Sequence, residues 1–190
     1  MPTRAAPTDV ASRIADALDG AGLPYALGGA LALGAWGVPR ATVDVDVCVF
    51  VPETRLSEVL GALAEAGAEA DRAAAANAVA RMGMFITRAD GRRVDVFVAH
   101  HPMHEDMERR RVLLPAPDGK RRHFLSAEDV LLTNFIYGRP KDVIDLERLA
   151  AVQAGRLDFA YARRWLSRIV TVGDHRLALL ADLERRHARG

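Results

Sequence analysis

The sequence predicts an α+β fold, a mixed β-sheet flanked by helices with a helical C-terminal part, and three observations carry that prediction. Up to about Leu125, short runs of alternating apolar residues are interleaved with segments at helical spacing. Beyond Leu125 every apolar pattern is helical. The chain of 190 residues, 50% hydrophobic and 27% charged, is long enough to bury a core and too ordinary in composition to be disordered. Residues 1–125 are therefore expected to form the mixed core and residues 126–190 a helical region packing on it.

The elements follow in order. Val10, Ile14 and Leu18 recur at helical spacing after Thr8, and Gly20 and Gly22 end that helix. Pro24 to Leu27 reads as a short strand running into Gly28-Gly29, and Ala30 to Trp36 as a short buried helix. From Val43 to Phe50 the chain alternates, with Val43, Val45, Val47 and Val49 on one face and Asp44, Asp46, Cys48 and Phe50 on the other. Leu56, Val59, Leu60 and Leu63 make Glu53 to Ala66 a helix closed by Gly67. The alanine-rich run 68–80 shows no clean apolar stripe and stays unassigned. Met84–Thr87 and Val94–Val98 flank Asp90-Gly91 as the arms of a hairpin, the second arm carrying Asp95 and Phe97 on one face.

Pro102 to Lys120, rich in proline, charge and turn residues, reads as a loop with a strand at 111–114. Ser126-Ala127-Glu128-Asp129 opens a helix with a capping-box pattern, and Gly138 closes it. Asp142–Gln153, Phe159–Val170 and a segment from His175 to the end complete the helical part.

Composition narrows the class of function. Lysine plus arginine (26) nearly cancels aspartate plus glutamate (25), so net charge makes no case for a nucleic-acid partner. The lone Cys48 excludes an intramolecular disulfide and a cysteine-based zinc site, which fits a reducing cytosol. The opening MPTRAAPTD lacks the apolar core of a signal peptide, and no run approaches the roughly 18 apolar residues of a membrane span. The expectation is a cytoplasmic protein with no membrane partner.

Aspartate is depleted in strands, and a buried carboxylate without a counter-charge takes up a proton. Asp44 and Asp46 lie two apart on one strand, roughly 6.5 to 7 Å between Cα atoms, and can converge on one cation or straddle two. Magnesium suits such oxygen donors. Alone, an Asp-x-Asp pair more often marks the wet face of an edge strand. Gly28-Gly29 opening a helix is either a tight turn or a place where bare N–H groups hold phosphate. With Asp95 on a second strand, the set matches a two-metal layout for in-line displacement at phosphorus.

Gly28-Gly29 followed by the run 37–46, GVPRATVDVD, resembles the signature of the nucleotidyltransferase superfamily related to DNA polymerase beta. Leu125 to Asp129, with Arg139-Pro140-Lys141-Asp142 and Asp145, is similar to the branch holding the toxin component of AbiE-type abortive-infection systems. The resemblance implies a nucleotidyltransferase fold, with a catalytic core over 1–125, and an enzyme that moves NMP from an NTP such as ATP to an acceptor hydroxyl. It implies Asp44, Asp46 and Asp95 as the magnesium-binding catalytic set, with Gly28, Gly29, Arg40, Thr42, Lys141 and Asp142 on the nucleotide. RNA, tRNA first, is the implied acceptor, and an antitoxin the implied protein partner. A small-molecule acceptor, as in aminoglycoside-modifying relatives, and a non-catalytic nucleotide- or partner-binding protein are the alternatives. Where that branch often carries a lysine on the helix before Arg-x-Lys-Asp, this sequence has Asn134, leaving Lys141 or Arg139 to compensate.

Other features have plainer explanations. Arg40 serves equally as a phosphate ligand or a cap on the short helix, and Asp145 is expected to pair with Arg148 or Arg139. His100, His101 and His104 flank Pro102 in a surface loop without metal-site spacing. Residues 109–111 and 120–122 could form a basic finger for RNA, but a solvated face is the simpler account. Trp36 and Trp165 belong to the core, and the dispersed aromatics offer no base-stacking platform.

Overall fold

The computed structural model describes residues 5–188. Helix α1 (Pro7–Gly20) turns its Val10, Ile14 and Leu18 stripe inward and leads to strand β1 (Tyr25–Leu27), the short helix α2 (Gly29–Ala35) and strand β2 (Asp44–Val49). A 3₁₀ turn (Glu53–Arg55) then feeds helix α3 (Leu56–Glu65), followed by helix α4 (Arg72–Met82). The hairpin of β3 (Met84–Ala89) and β4 (Arg92–Val98) turns at Asp90 and Gly91, whose φ values of 49° and 71° are the two positive angles that a two-residue type I′ loop requires. Helix α5 (Pro102–Arg110), strands β5 (Val112–Pro115) and β6 (Arg121–Phe124), and helices α6 (Ala127–Tyr137), α7 (Pro140–Val152), α8 (Phe159–Ile169) and α9 (His175–His187) complete the fold. Residues 189–190, at the end of the expected last helix, lie outside the described residues.

The strands form one six-stranded mixed sheet in the order β3-β4-β2-β1-β6-β5. Strand β2 runs parallel to β4 and β1 parallel to β6, while the other neighbours are antiparallel. Alternation decides the two faces. Val45, Val47, Val49, Val94, Val96 and Val98 are completely buried, α1 packs on the sheet and α3 on α1, and a slip of one residue would bury the acids instead. The opposite face of β2 and β4 carries Asp44, Asp46, Arg93 and Asp95, bordered by α2 and α6.

Four local expectations change. The unassigned alanine run is α4, started by Asp71, whose carboxylate accepts from the Ala74 N–H, and stopped by Gly83 in the left-handed region. The expected loop from Pro102 contains α5, because Pro102 sits in its first turn and His101 accepts from the Met103 N–H, with His104 Nδ1 accepting from the His100 and His101 N–H groups. His104 is therefore a structural cap rather than a loose surface residue, and burial among its two histidine neighbours pushes its pKa down to about 4. A second strand, β6, pairs with β5 across the Asp118-Gly119 turn. Val43, expected on the buried face, lies outside β2 and is exposed.

The helical part is stitched to the sheet by specific polar contacts. The Leu125 N–H donates to the Leu27 carbonyl, the Trp36 indole N–H to the Leu125 carbonyl, and the Gln153 side-chain amide to the Trp36 carbonyl. Trp36 is only partly buried, whereas Trp165 is buried with its N–H on Asp106. One apolar cluster runs from Val10 through the valines of the sheet to Leu183.

Candidate active site

Strand register assembles the site. Asp46 stands directly beside Asp95 and Asp44 beside Arg93 on adjacent parallel strands, which lie roughly 4.8 Å apart. Three carboxylates and one guanidinium therefore share one patch of the open face. Asp44 enters β2 with its main chain fixed by Thr42: the Asp44 N–H donates to Thr42 Oγ1, and that hydroxyl donates to the Asp44 carbonyl. Thr42 thus sets the start of the acidic strand.

Gly28 and Gly29 meet the acids at the β1–α2 corner. The Gly28 N–H donates to the Asp46 carbonyl at 2.9 Å. At Gly29, with φ of 51°, a Cβ atom would fall 1.9 Å from Asp46 Oδ2, so only glycine lets the backbone reach that carboxylate. The glycine pair and Asp46 are one structural unit.

The electrostatics of Asp46 are those of an unmet negative charge. Its pKa is pushed up to about 6, first by burial and then by the charges of Asp95 and Asp44, with Arg139 and Arg40 opposing from a distance. Among the described residues, neither the Asp44 nor the Asp46 carboxylate takes a hydrogen bond or salt bridge. Asp95 differs. Arg93 donates to it twice, Nε to Oδ1 at 2.6 Å and Nη2 to Oδ2 at 3.1 Å. That pair raises the Arg93 pKa, with smaller help from Asp44 and Asp46.

As the side chains stand, no three His, Cys, Asp or Glu residues among those described are gathered to hold a metal ion. The donor set nonetheless fits a hard divalent cation, because two carboxylates carry no direct ion pair or hydrogen bond among the described residues and the third is held by one guanidinium. Asp44 and Asp46 are the residues that could hold such an ion, while Asp95 is engaged by Arg93.

The remaining predicted residues divide. Arg139 lies over the Tyr137 ring, 5.1 Å from its centroid, and is fixed by a bidentate pair with Asp142. Asp142 is fully buried and caps α7, so both its oxygens are occupied by Arg139. Lys141 is exposed on the first turn of α7. Arg40 Nε lies 3.0 Å from Oδ2 of the buried Asp145, an ion pair poorly aligned as a hydrogen bond. This corrects the expected partners of Asp145: the loop before β2 brings Arg40 to it, whereas Arg139 is already held by Asp142. Among the described residues, the side-chain amide nitrogen of the buried Asn134 has no partner.

Two residues near the acids carried no signal when read singly. Arg93 is two before Asp95 on a strand and must share its face, a period-two inference available from sequence. Tyr137 is half exposed at the end of α6, its ring 6.5 Å from that of Phe97, with burial first and then Cys48 and Asp46 pushing its pKa up to about 12. That meeting depends on how α6 docks on the sheet.

A cavity of about 370 Å³ opens elsewhere, between α1, α2 and the β5–β6 turn, lined by Ala11, Leu27, Leu31, Pro39 and Phe124 with Arg40 at its edge. None of the three acids lines it. Its lining is mainly apolar and includes no Asp, Glu, His or Cys.

No family model matches the chain, and no curated protein matches it in sequence. Solved structures do. The antibiotic-resistance factor ANT(2'')-Ia superposes with a TM-score of 0.54 at 16% identity, covering 95% of this chain and 92% of that one. A crystal structure of ANT(2'')-Ia with adenylyl-2''-tobramycin gives 0.53 at 17% identity, covering 95% and 98%. An antigenic nucleotidyltransferase-like protein from Paracoccidioides brasiliensis gives 0.55 at 18% identity, covering 95% and 88%. At such identities the likeness establishes the fold: this chain has the nucleotidyltransferase fold.

Proposed function

We propose that the chain is a magnesium-dependent nucleotidyltransferase that moves NMP from an NTP to an acceptor hydroxyl, with its catalytic set on Asp44, Asp46 and Asp95. One observation carries the proposal: on this fold, Asp44 and Asp46 share one strand face without a direct ion pair, Asp46 lies against a glycine corner, and Asp95 stands beside it. Asp44 and Asp46 would hold the cation, and the triphosphate would lie beside the glycine corner, where the positive φ of Gly29 brings the backbone up to the Asp46 carboxylate. A divalent cation bound there would offset charge on the α-phosphoryl group. The acceptor oxygen forms a bond to the α-phosphorus, the bond to pyrophosphate breaks, and the hydroxyl proton passes to the Asp95 carboxylate. Arg139 and Lys141, on the α7 side of the cleft, supply positive charge to the triphosphate. No nucleophilic side chain is required.

A small-molecule hydroxyl is the acceptor that the structure favours. Most of the basic finger is neutralised within the chain: Arg109 pairs with Asp106, Arg110 with Glu128, Arg111 with Glu108, Lys120 with Asp16, and Arg122 with Asp16 and Asp118. These acids lower the net positive field that RNA phosphates would meet there. The ANT(2'')-Ia complex holds an adenylylated aminoglycoside in a chain of nearly the same extent. The RNA-modifying reading, with tRNA as acceptor and an antitoxin as partner, rests on the AbiE-like motifs at 125–129 and 139–145.

Each of the four NTPs, labelled at the α-phosphate, is incubated with magnesium, the protein, total RNA and a panel of aminoglycosides and other polyols. Label in a small molecule is the expected result. Label in RNA, with slowed growth of cells expressing the wild type but not Asp44→Ala, would replace it with the toxin reading. No transfer from any NTP would refute the enzyme.

A further inference from the structure

Among the described residues Arg93 is the one cation paired directly with an acid of the patch, and its placement is dictated by the sheet. Residues 93 and 95 share a face of β4, and the parallel register sets them beside 44 and 46. The guanidinium lies along the strand and uses its fork, Nε to one oxygen of Asp95 and Nη2 to the other. Both oxygens that could turn to a cation are thereby engaged.

Beyond the weaker pull of the Asp44 and Asp46 charges, Asp95 is what holds the guanidinium. Among the described residues Asp95 is its only hydrogen-bond or salt-bridge partner, and the Arg93 side chain is 43% exposed against 16% for Asp95. A contact on the solvent side of a strand, made by a flexible side chain, is cheap to exchange. The contrast with Arg139 is informative: its partner Asp142 is completely buried and also caps a helix, so that pair cannot open without a structural cost.

We propose that Arg93 is a positioning residue that acts as a resident counter-cation, holding Asp95 in place of the divalent ion and leaving it when that ion binds. The inference rests on the metal-site reading given above. An Asp95 oxygen cannot serve the guanidinium fork and a metal at once, and a fixed positive charge a few ångströms away also repels an incoming cation. Both effects weaken metal binding, and both end when the guanidinium swings into solvent. With Arg93 in place, the three carboxylates are partly compensated before nucleotide arrives, and metal binds well only when a triphosphate adds its own negative charge.

The test is a titration of Mn²⁺ into the full chain without nucleotide at pH 7.5, with free Mn²⁺ read by electron paramagnetic resonance. Wild type, Arg93→Gln, Arg93→Lys and Asp46→Asn are compared, each checked for an unchanged circular dichroism spectrum. Arg93→Gln is expected to bind Mn²⁺ roughly two- to fivefold more tightly than wild type, on the scale of one displaced partly exposed ion pair. Arg93→Lys, a point charge without the fork, should fall between them. Equal or weaker binding by Arg93→Gln, while wild type binds and Asp46→Asn does not, would overturn the counter-cation role and leave the metal site standing. No binding by either wild type or Arg93→Gln would overturn the metal site itself, and this inference with it.

Discussion

At the scale of single residues, Asp46 shows what the site costs the fold. Its pKa of about 6 lies above the ordinary 3.8, so the native state holds an extra proton between those values. Stability therefore falls as pH rises through that window and stays low above it. Asp46→Asn removes the penalty where the group is ionised. Thermal melts at pH 8 without metal should show the variant more stable by about 1 to 2 kcal/mol, a rise of roughly 3 to 6 °C for a chain of this size. At pH 4 the two proteins should melt together, and a variant less stable at both pH values would contradict the account. Asp44, Asp46, Asp95 and the glycine pair were legible in the sequence because acids in a valine strand and a doubled glycine before a helix are locally odd. The partners of Asp145 were not, since Arg40 reaches it from 105 positions away through a loop whose path no local pattern records.

At the scale of elements, period two was the dependable signal. Strands β2 and β4 alternate valine with polar residues and appear where expected, with the acids on the expected side. Helix α4 escaped because alanine has little hydrophobic weight on any face, although its end signals were present in Asp71 and Gly83. Helix α5 escaped because its cap is a histidine pair rather than serine, threonine or aspartate. If the Asp71 carboxylate starts α4 as described, Asp71→Ala should lower stability by about 1 kcal/mol in urea unfolding, with Asp71→Ser close to wild type. Equal stability of all three would show that α4 is held by packing alone.

At the scale of the whole molecule, the active face depends on the helical part as well as the sheet. The loop of residues 36–43, which delivers the chain into the acidic strand, is pinned to α7 by Arg40 on Asp145 and by Gln153 on the Trp36 carbonyl. Asp145 is 2% exposed, and removing its partner strands a buried charge. Arg40→Ala should cost about 2 to 3 kcal/mol in urea unfolding, below the value for a fully buried pair because the Arg40 side chain is 24% exposed. Adding Asp145→Asn should recover part of that loss, and an additive double variant would show that the two do not interact. No helix among the described residues is long and apolar enough to cross a membrane. The most direct measurement is a crystal structure with Mn²⁺ and a non-hydrolysable NTP, located by anomalous scattering. The account predicts manganese between the Asp44 and Asp46 carboxylates, phosphates at Gly28 and Gly29, and Arg93 off Asp95; manganese absent from those acids, or a triphosphate seated in the cavity behind α2, would contradict it.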